Sequence, residues 1–320
     1  MSAQTAIQTT DLTKTYSGAR GEVIALNKAS FTVEQGKTLA LVGESGSGKT
    51  TVARLVLGLV PPTDGEVSIL GQEISKLKER EMRSLRRDIQ VVQQNPYSQL
   101  NRRHTVKRIV ETPLKAFKEG KPAERNDRIV EMLEAVGLDA AYLRRRPHEL
   151  SGGQCQRVAI ARALVLNPKI LILDEAVSAL DVSVRAQVLN LLKSLQRERN
   201  LTYLFITHDL GVARYIADDI AVMFRGKIVE KGSREEVFEI PKHHYTKNLI
   251  SSVPLAEPQE KSTKPKTIAN LPNPNPSDAC AYRSRCERGQ VETECVSKVL
   301  VPNSNKSHQW LCHFPLNERI

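Results

Sequence analysis

Apolar positions along the chain follow two rhythms. Short, largely apolar runs at Thr38–Val42, Ile89–Val92, 170–173 and 202–206 predict buried strands, as in a parallel sheet. Residues 5–35 instead alternate, around Ala6-Ile7, Ile24-Ala25-Leu26 and Phe31-Thr32-Val33. They predict antiparallel strands with a turn at Ser17-Gly18, and 67–70 predicts one more strand. Helical spacing takes over in TVARLVLGLV after Thr50 and in a basic helix over 79–87. Val106, Ile109 and Val110, then Ile129, Met132, Leu133 and Val136, carry that spacing through 105–146 with no strand pattern between them. This predicts a helical insertion of two to four helices, with turns at Gly120-Lys121-Pro122 and at the Arg144-Arg145-Arg146-Pro147 boundary. The class is α/β.

The first buried run leads into Gly43-Glu44-Ser45-Gly46-Ser47-Gly48-Lys49-Thr50, which fits G-x-x-x-x-G-K-[ST], and Thr51 continues into the helix. Strand, glycine loop and helix are the context that this motif needs. The glycines let successive N–H groups point at phosphate oxygens, and the helix adds the positive end of its dipole. Lys49 can reach the β- and γ-phosphates of a nucleotide, and the Thr50 hydroxyl can ligate Mg²⁺. The run at 170–173 ends in Asp174 and Glu175. A buried strand delivering two carboxylates to its C-terminal edge suits Mg²⁺ at Asp174, through water, and general-base catalysis on water at Glu175. The run at 202–206 ends at Thr207-His208-Asp209, where His208 can reach a γ-phosphate. Tyr16 can stack on an adenine ring. Gln94, at a strand end, can offer its carbonyl oxygen to Mg²⁺ and the attacking water. Leu150-Ser151-Gly152-Gly153-Gln154 places a serine N-cap and two glycines before a helix, a second backbone anion site.

With 320 residues there is room for one large domain or two modest ones. No apolar run approaches the length of a membrane span, and MSAQTAIQTT lacks the features of a signal peptide, so a cytosolic chain is expected. The formal charge is +11, and residues 76–108 hold ten Lys or Arg against three acids, a net +7. Such a face suits anionic lipid or nucleic acid, or is simply a solvated helix. Four of the five cysteines, Cys280, Cys286, Cys295 and Cys312, are spaced C-x₅-C-x₈-C-x₁₆-C near the C-terminus. In a cytosolic chain that argues for a metal or cluster on four thiolates, although the spacing matches neither common zinc fingers nor ferredoxin runs. Six prolines between 254 and 276 predict an extended linker before them. The terminal segment has too few apolar residues to fold alone, so a cluster or docking must hold it. Cys155 reads as a plain helix residue.

Taken together, Tyr16, the 43–50 loop, Gln94, LSGGQ at 150–154, ILILDE at 170–175, SALD at 178–181 and His208 resemble the ATP-binding cassette (ABC) ATPases over residues 1–250. The resemblance implies a P-loop NTPase (RecA-like) core with an antiparallel β subdomain and a helical insertion. It implies a head-to-tail dimer in which Ser151, Gly152, Gly153 and Gln154 contact the partner's ATP and Asp181 lies at the dimer contact. Gln94 would sense the γ-phosphate, and the surface around 97–103 would grip a membrane partner. RRDIQVVQQNPYSQLNRRHTV, PHELSGGQCQRVAIARAL and HHYTKNLISSVP look like the ATPases of dipeptide/oligopeptide (Opp/Dpp) importers, in the F-type form. Cys155 and Ala176 depart from the usual residues after LSGGQ and DE; the second also occurs in nickel-importer ATPases. The family's C-terminal extension can hold a [4Fe–4S] cluster on four cysteines, with Zn²⁺ or free thiols as alternatives.

The expected organisation is an ATPase domain at 1–252, with the insertion at about 96–165, a linker at 253–279 and a Cys-rich extension at 280–320. The expected partners are a second, D-type ATPase, two transmembrane permeases and an external binding protein, on the cytoplasmic side of a bacterial inner membrane. Import of nickel or another metal chelate is the rival cargo. A soluble ABC ATPase acting on nucleic acid or ribosomes would carry a long coiled coil or two cassettes, and neither pattern is present, so no nucleic-acid partner is expected.

Overall fold

Alternation and unbroken apolar runs separate into two sheets. The computed structural model describes residues 4–18, 21–252, 279–305 and 307–316. In chain order the elements are β1 (Thr5–Gly18), β2 (Gly21–Glu34), β3 (Thr38–Val42), α1 (Lys49–Val56), β4 (Asp64–Ile69), β5 (Gln72–Glu73), α2 (Glu79–Asp88) and β6 (Ile89–Val92). The helical insertion follows as α3 (Pro96–Gln99), α4 (Val106–Ala116), α5 (Pro122–Ala135) and α6 (Gly152–Leu164). The chain then returns to β7 (Ile170–Asp174), α7 (Val182–Arg199), β8 (Thr202–Thr207), α8 (Leu210–Ile216), β9 (Asp219–Phe224), β10 (Lys227–Ser233), α9 (Arg234–Glu239) and α10 (His244–Ser251). A last hairpin is β11 (Asn303–Asn305) and β12 (His308–Trp310).

The alternating segments make an antiparallel sheet in the order β2-β1-β4-β5. Gly18 pairs with Gly21, so the first turn falls on 19–20, outside the described residues. The unbroken runs make the centre of a sheet ordered β11-β12-β10-β9-β3-β8-β7-β6. In it β9, β3, β8, β7 and β6 run parallel. Both faces of this centre are covered. Leu171, Leu173, Tyr203 and Phe205 pack toward the core shared with the insertion, α6 and α7. Ile170, Ile172, Leu204 and Ile206 pack toward the core shared with α1 and the antiparallel sheet. Strict alternation between two apolar cores explains why these strands read as continuous hydrophobic runs. Among the described residues, no helix is long and apolar enough to cross a membrane.

The insertion has the predicted turns. Gly120 stands at φ +65° and Pro122 opens α5. Between α5 and α6 the chain makes two short 3₁₀ turns, Ala140–Arg144 and Pro147–Glu149, rather than a further long helix. The proline-rich stretch at 253–278 lies outside the described residues.

Docking of the C-terminal segment, one of the two options foreseen for it, is what the fold shows. β12 pairs antiparallel with β10, Glu230 opposite Trp310, and so extends the main sheet. Cys280, Tyr282 and Cys286 join a core with Val42, Phe224 and Tyr245. The junction is pinned by Glu230, 1% exposed. Its carboxylate accepts from the N–H groups of Lys242 (2.7 Å) and His243 (2.9 Å), and pairs with His308 Nε2 at 2.7 Å. Removing one partner from such a buried set leaves the others unsatisfied. Glu230→Ala is therefore expected to destabilise the chain by about 3–5 kcal/mol and to speed amide exchange across the β10–β12 pair first. Denaturant melts and exchange mass spectrometry check this; unchanged protection at 308–310 would contradict it.

Candidate nucleotide site

β3 stops at Val42 because the chain must turn hard at Gly43. Gly43 has φ +154°, and a Cβ there would lie 2.2 Å from the Met223 carbonyl oxygen; at Gly48, φ +106°, it would lie 2.6 Å from that of Ala25. Neither position admits a side chain, because backbone from β9 and β2 closes on the loop from outside. Gly48 precedes α1, and no side chain caps that helix, so no side-chain oxygen competes for its first-turn N–H groups.

The lysine folds into the loop it follows. Lys49 Nζ donates to the carbonyls of Gly43 (2.7 Å) and Glu44 (2.9 Å) and lies 3.4 Å from Ser47 Oγ. Burial pulls its pKa down, opposed by the charges of Glu175, Asp174 and Glu44. Those carboxylates arrive on β7. Burial first, then the neighbouring Glu175, pushes Asp174 above the ordinary carboxylate range, while Lys49 and a hydrogen bond to Thr50 pull it back. Glu175 leaves the strand in the left-handed region, φ +51°, anchored by its N–H to Ile206 O at 2.9 Å. Its Oε1 meets His208 Nδ1 at 3.2 Å. The ends of β3, β7 and β8 thus deliver an ammonium, two carboxylates and an imidazole to one sheet edge.

A cleft of about 400 Å³ opens there. Ser45, Gly46, Gly48, Lys49, Thr50, Thr51 and Glu175 line it, as the sequence leads one to expect. Val23, Ile24, Ala25, Arg225 and Gly226 line it too, and none of the five was expected at the site. Arg225 (φ +43°) and Gly226 (φ +80°) turn the β9–β10 hairpin. Gly226 alone hinted at this turn; arginine is not among the residues that favour the positive φ that Arg225 adopts, so the hairpin was only partly legible. Val23 and Ile24 are 61% and 50% exposed, apolar side chains left bare beside a polar loop.

Other predicted residues sit elsewhere. Tyr16 is opposite Val23 on the neighbouring strand, half-buried, with Lys14 Nζ 5.2 Å from its ring centre. Gln94 is exposed beyond β6 and does not line the cleft. Ser151 caps α6: its Oγ accepts from Gln154 N at 3.3 Å, and Gln154 Oε1 accepts from Ser151 N at 2.9 Å. Gly153 lies against Val184, leaving no room for a Cβ (2.4 Å). The SGGQ turn therefore packs on the start of α7, not on the phosphate loop of its own chain. Asp181 caps α7 through Val184 N at 3.0 Å. Cys155 is a fully buried residue of α6, its thiol 3.4 Å from Pro147 O. Part of the basic stretch is engaged within the chain: Arg83 donates to Ala116 O (2.6 Å) and Arg87 pairs with Glu119, tying α2 to the end of α4.

Comparison with known proteins fits this geometry. Residues 26–178 match the family described as "ABC transporter", and 229–295 match "Oligopeptide/dipeptide transporter, C-terminal region". The chain is 45% identical, over 92% of its length and 90% of the relative's, to the oligopeptide transport ATP-binding protein AppF of Bacillus subtilis. It is 45% identical, over 89% and 87%, to the dipeptide transport ATP-binding protein DppF of Escherichia coli. The chain belongs to the ABC transporter ATP-binding proteins. Among solved structures it resembles the dimeric bacterial ABC transporter cassette MJ0796, with a TM-score of 0.65 and 34% identity over 71% of this chain and 98% of that one. The same cassette is known in a post-hydrolysis dimer bound to ADP and Pi.

One expectation for this ABC protein is corrected. Cys280, Cys286, Cys295 and Cys312 do gather around one small cavity, each under 9% exposed. Yet among the described residues no group of three or more His, Cys, Asp or Glu is arranged to hold a metal ion. An iron–sulfur cluster or Zn²⁺ on these cysteines is therefore not supported. Burial, reinforced by the other cysteines, pushes Cys295 up to about 11 and Cys312 up to about 12. Cys280 and Cys286 pack into the apolar core with Phe224 and Tyr245, while His243, His244, Arg288 and His313 share the cavity with all four cysteines. The spacing read as a ligand set because four clustered cysteines look alike whether they bind or pack.

The raised Asp174 generates a stability prediction. The folded chain holds this proton more tightly than the unfolded chain, so its contribution falls as pH rises from the ordinary 3.8 through the raised value. Asp174→Asn should melt higher than the parent at about pH 7, and the gap should narrow toward about pH 4. A variant that melts lower at neutral pH would contradict the assignment.

Proposed function

We propose that this chain is the ATP-hydrolysing subunit of an importer for di- or oligopeptides, acting as half of a nucleotide-sandwich dimer. The observation that carries the reading is the convergence of Lys49, Asp174, Glu175 and His208 on the glycine loop at one sheet edge. The glycines and the uncapped start of α1 present N–H donors to the phosphates, and Lys49 turns from its loop carbonyls to the β- and γ-oxygens. The exposed pair Val23 and Ile24, with Tyr16 behind them, gives the adenine an apolar seat at the cleft's mouth.

Asp174 fits Mg²⁺, because a half-buried carboxylate crowded by a second one gains most from a cation, and the Thr50 hydroxyl is within hydrogen-bond reach of it. When bound, Mg²⁺ would neutralise charge on the phosphate oxygens. Glu175 accepts the proton of the attacking water, and His208, whose Nδ1 lies 3.2 Å from Glu175 Oε1, stands beside that carboxylate and faces the γ-phosphate. Gln94, exposed beyond β6 and off the cleft lining of the single chain, offers its carbonyl oxygen to Mg²⁺ and the attacking water only once the dimer closes. Ser151, Gly152, Gly153 and Gln154 serve the ATP of a facing subunit, which is consistent with their turning away from their own loop; Asp181 stands beside them at the dimer contact. Closure of the dimer links hydrolysis to movement of two membrane-spanning permeases, fed by an external binding protein, with a D-type cassette as the second ATPase. On this reading the chain works at the cytoplasmic face of the membrane. Residues 1–252 form the ATPase domain with its insertion at about 96–165, 253–279 a linker and 280–320 an extension of the cassette. Peptide cargo is favoured over metal chelates by the names of the relatives and by the C-terminal family match.

Glu175→Gln keeps the shape of the side chain and removes the base. It should bind ATP, favour the closed dimer and lose turnover by about 10²–10⁴-fold; near-parental hydrolysis in the assembled transporter would overturn the base assignment. Affinity purification from detergent-extracted membranes should recover two permeases and a second cassette. Recovery with ribosomes or DNA alone would refute the transporter reading.

A further inference from the structure

Glu44 occupies a variable position of the phosphate loop and is held at every polar group. Its N–H donates to Tyr245 Oη at 3.0 Å. Its carbonyl accepts from Lys49 Nζ at 2.9 Å and from Ser47 N at 3.2 Å. Its carboxylate takes a two-pronged contact from Arg285, whose two terminal nitrogens donate at 2.9 and 2.8 Å. Arg285 belongs to the C-terminal segment, 241 residues farther along the chain.

The turn that carries Arg285 is itself fixed. Tyr282, 3% exposed, packs at 5.3 Å between ring centres against both Phe224 and Tyr245. Asn248 Nδ2 donates to Tyr282 Oη at 2.5 Å, and Arg285 N donates to Tyr282 O at 2.9 Å. The guanidinium lies over the rings of Phe224 (5.7 Å) and Tyr282 (5.6 Å). It reaches Glu44 from a prepared position, so little side-chain freedom is lost in the contact.

A carboxylate on a loop that receives a triphosphate repels it unless its charge is cancelled. We propose that Arg285 is a positioning residue of the nucleotide site: by engaging both oxygens of Glu44 it neutralises and steadies the phosphate loop, so that ATP affinity depends on the docked C-terminal segment. The inference rests on reading the 43–50 loop as the nucleotide site.

The test is titration calorimetry of ATP with Mg²⁺ into the full-length chain. Arg285→Gln leaves Glu44 charged and should weaken ATP binding about three- to tenfold, the loss shrinking at high salt. Adding Glu44→Gln to that variant removes the stranded charge and should restore affinity to within about twofold of the parent. A contact that merely held the segment in shape would not be repaired by deleting its other half. Arg285→Lys, which keeps the charge without the fork, should fall between parent and Arg285→Gln. Arg288→Gln, from the same segment but paired with Glu292, should match the parent. Parental affinity in Arg285→Gln, or a double variant as weak as the single, overturns the proposal. A parent that binds no ATP overturns the nucleotide reading first, and this inference with it.

Discussion

A buried ammonium sets the terms for the rest of the cassette. Lys49 cannot sit inside the glycine loop unless carbonyl oxygens and carboxylates surround it. The carbonyls come from its own loop, which constrains that loop to a shape only glycine permits at Gly43 and Gly48. The carboxylates come from β7, and Asp174 and Glu175 crowd each other once there. Each charge is tolerable only beside the others, and the group as a whole is suited to a ligand that brings anions and a cation together.

The sheet makes that crowding possible. Its central strands are covered on both faces, so their backbone is rigid and their C-terminal ends share one edge. The antiparallel sheet and the Arg225-Gly226 turn close on the loop from the other side. The helical insertion contributes nothing to the cleft of its own chain. Its SGGQ turn caps α6 through the reciprocal bonds of Ser151 and Gln154 and packs on the start of α7.

Legibility in the sequence followed physical range. Local rules found the buried strands, the phosphate loop, the Ser151 cap, Asp174 and Glu175, because each is set by neighbours within a few residues. Contacts between distant segments were not legible. No spacing indicates that Arg285 would meet Glu44, that Glu230 would hold His308, or that Val23 and Ile24 would flank the loop. The four cysteines mark the limit in the other direction: their grouping in sequence was real and their grouping in space followed, but among the described residues they are not arranged to hold a metal ion. Gln94 and Tyr16 were found as types and lie off the cleft lining.

Glu175 carries one further implication. Successive residues of a strand face opposite sides, so an Asp-Glu pair continuing β7 would send its two carboxylates apart. The left-handed backbone at Glu175 breaks the alternation and turns the second carboxylate toward the cleft and His208. A non-glycine residue in that conformation costs about 1–3 kcal/mol. Glycine would relieve the strain and remove the acid in the same change. This is a position where selection for thermostability and selection for turnover pull against each other, and a lineage released from the need to hydrolyse ATP would be expected to drift there early.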